Sequence, residues 1–334
     1  MSTAETLAQE QEARAQVLDA LRDGERFVLL THEHPDGDAL GSLVAMHGIL
    51  SSLGKDSVMY VCADEFPLPY EYRWFDLEGV QSTVPDDVAE RTIVYLDCGT
   101  IERNPVEAFR LPGALTLNID HHHDNTRFGS VNLVVEDASC TAEVVWDLGR
   151  ALEVPLTPRV AEALYVGLIT DTGRFMYENT SAKAHLMAAD LLASGIDHPE
   201  IYRRVYEGWP ESKLRLFARA LSRAARHAGG ALTMTLLSAE DFRQTGAEAS
   251  YTEGVVDRLR AVEGTKVAAL ARELTNGESG GWKVSLRSGD GEVDVSVIAR
   301  AAGGGGHKAA AGFRTEMAPD ELVSFLRDQV AAQL

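Results

Sequence analysis

Four short apolar runs punctuate the first third of the chain: "RFVLLT" (Arg26 to Thr31), "SVMYVC" (Ser57 to Cys62), "TIVYLD" (Thr92 to Asp97) and "ALTLNID" (Ala114 to Asp120). Each has the length and composition of a buried strand. Between the first two, "ALGSLVAMHGILSSLG" repeats apolar residues at Leu40, Leu43, Val44 and Leu50, the spacing of a helix. An N-terminal helical stretch precedes them, and further helices are predicted over Cys140 to Leu152 and Pro158 to Leu168. Strand, polar loop and helix in alternation predict an α/β domain, with a mostly parallel sheet flanked by helices. The polar clusters follow the C-terminal ends of the runs: Thr31 to Asp38, then Asp97, then Asp120 to Asp124. In open α/β sheets that edge is where loops from separate strands converge on a ligand.

The pattern then changes. Ala182 to Arg226 reads as helical, and Gly229 and Gly230 mark a boundary after it. Beyond lie "ALTMTLLS", "TKVAALARELT", "GWKVSLRS" and "EVDVSVIA", all read as strands, with helices near Thr252 to Ala261 and at the terminus. The expected organisation is a catalytic domain over 1–195, a helical linker over 196–228 and a smaller α+β substrate domain over 229–334.

Composition narrows the chemistry. The chain has 334 residues, with 51 Asp plus Glu against 31 Lys plus Arg and a formal charge of -20, so it has no general attraction for long nucleic acid. Any phosphate-bearing substrate must be captured locally. Three cysteines, Cys62, Cys98 and Cys140, lack ligand spacing and are expected as buried small residues in a reducing compartment. The N-terminus has no apolar signal region and no run reaches membrane-spanning length, which predicts a cytoplasmic protein without a membrane partner.

Acids and histidines then stand out at the strand ends. In "THEHPDGDALGS", Asp36 and Asp38 flank a glycine ahead of the predicted helix, with His32 upstream. Two carboxylates diverging from one turn can address neighbouring cations; alternatively Asp38 caps the helix and Asp36 is exposed. Asp97 closes an apolar strand, where an unpaired buried acid would be costly. Asp120, His121, His122 and His123 follow the next strand, and Asp171 ends an apolar helix in "LYVGLITDTGRF". Four loops supplying Asp or His predict one pocket. Carboxylate and imidazole suit divalent ions, and two ions ~3.5–4 Å apart sharing a carboxylate activate water toward a phosphoester. Histidine ligands favour manganese over magnesium, with cobalt a further candidate.

These motifs, His32-x-x-Pro35-Asp36-x-Asp38-x-x-Gly41-Ser42, Asp97, Asp120-His121-His122, Asp171 and the C-terminal "GGGGHKAAAG" (Gly303 to Gly312), closely resemble those of the DHH phosphoesterase family with its DHH-associated domain. The similarity is greatest to the two-domain nanoRNase and pAp phosphatase branch. It implies that His32 and Asp36 hold one metal, that Asp38, His121 and Asp171 hold the other, and that Asp97 bridges them. Asp120 would orient the metal-site histidine, and His122 would address the scissile phosphate. No role falls to His34 or His123. Gly304, Gly305, Gly306 and His307, with "KAAAG" read as a small-residue helix, would cradle a phosphate or terminal nucleotide. Arg287, Ser288, Arg258 and Arg272 lie where such relatives contact base or phosphate, and Arg103 and Lys308 are weaker candidates.

The resemblance implies a metal-dependent phosphodiesterase that degrades very short oligoribonucleotides to mononucleotides and hydrolyses pAp (3'-phosphoadenosine 5'-phosphate) to AMP and phosphate. Expected partners are short RNA, pAp or dinucleotides, no stable long nucleic acid, and a second copy of the chain as a homodimer. Alternative readings are a cyclic or linear di-AMP phosphodiesterase, an inorganic pyrophosphatase, or a non-catalytic nucleotide-binding protein.

Overall fold

The protein is described by a computed structural model covering residues 3–75, 77, 79–274 and 280–334. It divides into two units, Met1–Glu207 and Gly208–Leu334, and the division falls inside the segment expected as a helical linker. The first unit runs α1 (Thr3–Asp23), β1 (Arg26–Leu30), α2 (Gly37–Ser52), β2 (Asp56–Tyr60), β3 (Val80–Gln81), β4 (Thr92–Leu96), β5 (Thr116–Asp120), β6 (Val131–Val134), α3 (Thr141–Ala151), α4 (Pro158–Asp171), α5 (Ala182–Ala193) and α6 (His198–Tyr206). Its strands form one sheet in the order β3-β2-β1-β4-β5-β6, parallel throughout. Both faces are covered, which is why the strands are continuous apolar runs. On one face Phe27 and Leu29 pack with Leu43, Met46 and Leu117; on the other Val28 and Leu30 pack with Tyr60, Tyr95 and Phe109. Strand order reverses between β1 and β4, so the loops leaving their C-terminal ends part there and open a crevice.

Helix α2 is buried along most of its length, from Leu40 through Leu50. It packs so closely on α4 that a Cβ on Gly41 would stand 2.4 Å from the carbonyl oxygen of Ala163. A Cβ on Gly167 would likewise meet Ala142 Cβ at 2.7 Å and Asp38 Oδ1 at 2.8 Å. These absent side chains let the first turn of α2, the last turns of α4 and the start of α3 converge below the crevice.

The second unit runs α7 (Glu211–Ser222), β7 (Ala225–His227), β8 (Leu232–Leu237), α8 (Ala239–Thr245), α9 (Val255–Arg260), β9 (Val267–Glu273), β10 (Trp282–Ser288), α10 (Val295–Ala301), β11 (Gly305–Gly306), β12 (Ala310–Thr315) and α11 (Pro319–Ala331). Its sheet has the order β11-β12-β10-β9-β8-β7, with only β8 and β9 parallel among its pairs. Helices α10 and α11 bury Ile298, Ala299, Leu322 and Leu326 with Val284, Leu286 and Phe313 of the sheet.

Four expectations change here. "EVDVSVIA" is not a strand: Asp294 caps α10 by accepting from the Ser296 N–H, and the buried positions Val295, Ile298 and Ala299 follow helical spacing while Val297 is exposed. The alternation of Val293, Val295 and Val297 imitated a strand. "KAAAG" is not a helix, because Ala310, Ala311 and Gly312 pair with Arg287, Leu286 and Ser285 of β10. The end of the expected helical region, Ala225–His227, is strand β7. Cys98 and Cys140 are buried as expected, but Cys62 is only partly so; all three are free. Thr275, the last residue of the expected "TKVAALARELT" strand, lies outside the described residues. Among the described residues no helix is long and apolar enough to cross a membrane.

Replacing Gly41 by Ala forces α2 away from α4. The unfolding free energy from urea titration is expected to fall by about 1–3 kcal/mol, the usual cost of overpacking.

Candidate active site

The loop after β1 carries His32, buried, with Nδ1 at 2.7 Å from the Glu33 carbonyl oxygen. A carbonyl only accepts, so Nδ1 carries the proton and Nε2 keeps its lone pair for a cation. Two residues of the next turn exchange the roles considered from sequence. Asp36, exposed, is the cap of α2 and accepts from the N–H groups of Asp38 and Ala39 at 3.0 and 3.1 Å. Asp38 is instead buried within that helix's first turn. Its carboxylate takes the N–H groups of Thr141 at 2.7 Å and Ala142 at 2.9 Å, so the start of α3 serves as its anion site.

Asp97 follows β4 with φ of 57°, in the left-handed region that a non-glycine residue enters at a cost. The strained backbone delivers its carboxylate to the centre of the crevice. Oδ2 lies 3.5 Å from His32 Nε2; Oδ1 lies 3.7 Å from His121 Nε2 and accepts the Thr141 hydroxyl at 2.9 Å. At the end of β5, Asp120 is fully buried between His122 Nδ1 at 2.8 Å and the Asn125 side-chain amide at 2.6 Å. The histidine that Asp120 orients is thus His122. His121 instead sets Nδ1 at 3.3 Å from the Ala138 carbonyl and turns Nε2 toward Asp171, 3.6 Å away. Asp171 ends α4 and accepts from Asn179 Nδ2 at 3.2 Å.

Three groups of potential ligands result, each with donor atoms within 4.8 Å of one another: His32, Asp36 and Asp97; Asp38, His121 and Asp171; and Asp97, His121 and His122. The charge balance calls for cations. Burial pushes the Asp38 carboxyl well above its ordinary range, and the nearby charges of Asp97, Asp171 and Asp36 push it further. Burial likewise raises Asp171 to about 7, with Asp97 and Asp36 adding to the effect against the opposing pull of His121. For Asp97 burial acts upward too, but His32, His122 and His121 outweigh it and hold the group well below the carboxylate range. Burial works against a charged His122, yet the hydrogen bond to Asp120 and the charges of Asp97 and Asp120 lift it to about 9. Oxygen and imidazole donors crowded beyond what the chain's own cations neutralise fit a divalent-metal active site.

Apart from His122 and Arg103, the residues expected at the substrate lie in the second unit. The glycine run forms a hairpin: β11 pairs with β12, and His307 and Ala310 exchange backbone hydrogen bonds at its tip. A Cβ on Gly304 would strike the Gly312 carbonyl oxygen at 2.2 Å, whereas one on Gly305 would meet open space. Close strand pairing therefore accounts for Gly304, and Gly305 leaves backbone open to approach. Ser288 faces inward: its buried hydroxyl donates to the Val293 carbonyl oxygen at 2.8 Å and accepts the Gly291 N–H at 3.1 Å, closing a loop. Arg287 and Arg272 are half-buried on β10 and β9, and Arg258 is exposed on α9. His34, given no role, meets Glu65 at 3.1 Å, and His123 is exposed.

Sequence reasoning missed Thr141, Asn125 and Asn179, each hydrogen-bonded to a site carboxylate. Thr141 carried a usable signal as a hydroxyl at the start of a predicted helix; the asparagines carried none.

Residues 26–168 match the DHH family, N-terminal domain, and residues 230–332 match the DHHA1 domain. Over 303 residues the chain is 36% identical to the bifunctional oligoribonuclease and PAP phosphatase NrnA of Thermus thermophilus, spanning 89% of this chain and 86% of that one. The protein of the same name from Bacillus subtilis is 26% identical over 291 residues, spanning 86% and 88%. An exopolyphosphatase-related protein from Bacteroides fragilis shares the fold, with a TM-score of 0.86, 24% identity and 96% of each chain covered. Fold and site together define a metal-dependent phosphoesterase. The chain belongs to the DHH family, with the DHH and DHHA1 architecture of its NrnA-like branch.

Thr141→Val removes the hydroxyl that orients Asp97 while keeping side-chain shape. Calorimetric titration with manganese should show affinity lowered roughly tenfold, as for a lost hydrogen bond to a charged group.

Proposed function

We propose that the protein hydrolyses very short oligoribonucleotides to mononucleotides and converts pAp to AMP and phosphate. The observation that carries this reading is the position of Asp97, whose Oδ2 approaches His32 and whose Oδ1 approaches His121, one in each of two candidate ligand groups. His32, Asp36 and Asp97 would hold one divalent ion, and Asp38, His121 and Asp171, with Asp97 shared, would hold a second. The relatives named oligoribonuclease and PAP phosphatase, at up to 36% identity, support the substrate class. Manganese is the proposed metal, since imidazole accompanies carboxylate in both groups.

Bound divalent ions would supply a water acidic enough to attack phosphorus and positive charge for the phosphoryl oxygens. The chain's own residues then do the rest. Asp97 and Asp38 hold their oxygens in fixed directions through Thr141 and the start of α3, so ligand geometry is set before substrate arrives. His122, steadied at Nδ1 by Asp120, is placed to donate a hydrogen bond as water adds to phosphorus and the ester P–O bond breaks. In the second unit, Gly305, His307 and Arg287 are proposed to hold the substrate away from the scissile bond.

The test is a manganese-loaded panel of pAp, RNA dimers to decamers, cyclic and linear di-AMP and pyrophosphate. Turnover is expected for pAp and the shortest RNAs, falling with length. Preferential turnover of di-AMP or of pyrophosphate would replace the substrate assignment, and no turnover of any would sink the enzymatic one. Asp97→Ala should lose activity and paired metal together, and two ions remaining per chain by mass spectrometry would refute the bridging role.

A further inference from the structure

We propose that Arg103 is a catalytic residue that grips the phosphoryl group undergoing hydrolysis. It ends a short turn, Ile101–Arg103, six residues after Asp97. Two hydrogen bonds sew this turn to the loop bearing His32. The Arg103 carbonyl accepts the Glu33 N–H at 2.7 Å, and the buried Asn104 side chain donates to the Thr31 carbonyl at 2.8 Å. The backbone of Arg103 is therefore fixed beside one wall of the metal site.

Its side chain is half-buried, yet among the described residues the guanidinium has no hydrogen-bond or ion-pair partner. An arginine used for stability looks different in this protein: Arg91 meets the Phe27 carbonyl, Asp56 and Asp87. The turn Ile101–Arg103 follows β4 and the His32 loop follows β1, and these strands are paired parallel neighbours, so Arg103 stands at the rim of the crevice between them. Asp36, Asp38, Asp97, Asp120 and Asp171 all lie in that crevice, and none forms an ion pair with it. A guanidinium held there and left unpaired keeps its planar fork of donors available for two oxygens of an incoming phosphoryl group. As charge builds on those oxygens the interaction strengthens, which is the requirement for acting on rate.

The inference rests on the phosphoesterase reading, and the test separates the two. Manganese-loaded wild type, R103A and R103K are compared on pAp and on bis(p-nitrophenyl) phosphate, with metal content measured in parallel. R103A should lose about 100-fold in kcat, the effect of removing one donor to a developing oxyanion, with two ions retained per chain. Guanidinium chloride at millimolar concentration should restore part of the R103A rate and leave wild type unchanged. Inorganic phosphate should inhibit R103A about tenfold more weakly, while R103K, which keeps the charge but lacks the fork, should fall between. A rate for R103A within about threefold of wild type overturns the proposal. So does a loss of rate that tracks loss of metal and resists guanidinium. If wild type hydrolyses neither substrate, the phosphoesterase reading is what fails, and phosphate affinity of the two variants still decides whether Arg103 binds the anion.

Discussion

Mutual repulsion among carboxylates is the constraint around which the first unit is organised. Asp38, Asp97, Asp120 and Asp171 are brought to one sheet edge with Asp36 beside them, and three of the five are buried almost completely. Burial alone would favour protonation, and each neighbour adds to that cost. The fold offsets it group by group: the start of α3 for Asp38, the Thr141 hydroxyl for Asp97, His122 and Asn125 for Asp120. The uneven results, Asp97 held low while Asp38 and Asp171 are pushed up, mark where negative charge is still short of a partner. Cations complete the balance, and metal binding and local stability are accordingly one quantity at this edge.

The same constraint explains features remote from the carboxylates themselves. Asp38 reaches α3 only because Gly167 leaves room beside it, and α2 comes close to α4 only because Gly41 has no side chain. Helix packing thus sets where these carboxylates stand. The left-handed backbone at Asp97 belongs to the same design, since a continued β conformation would turn the next side chain onto a face of the sheet instead of into the crevice.

Much of this was legible in the chain because burial leaves a periodic trace. Strands covered on both faces read as apolar runs, and an acid ending such a run is conspicuous, so Asp97 and Asp120 were found from their positions alone. What backbone groups do leaves no such trace. Nothing in "PDGDALGS" says that Asp38 would be satisfied by N–H groups more than a hundred residues later, nor that Asp36 would take the cap. The second unit misled for a different reason. Short segments carry too few residues to separate periods, so three alternating valines hid the helix at Val295 and a run of alanines hid strand β12.

The acidic chain and the small substrate are consistent with one another. Affinity for long nucleic acid grows by accumulating phosphate contacts and releasing counterions. A protein of charge -20 has the opposite gradient, since every phosphate beyond the site meets repulsion. Part of its positive charge is gathered on one sheet face. In the second unit, strand register sets Arg272 and Arg314 on either side of Lys283 across three adjacent strands, with Arg287 further along the same face of β10. Alternation sends Val284 and Leu286 to the opposite, buried face. Under the proposed function, preference for short substrates then needs no steric stop, because each phosphate added beyond the site meets the chain's net negative charge.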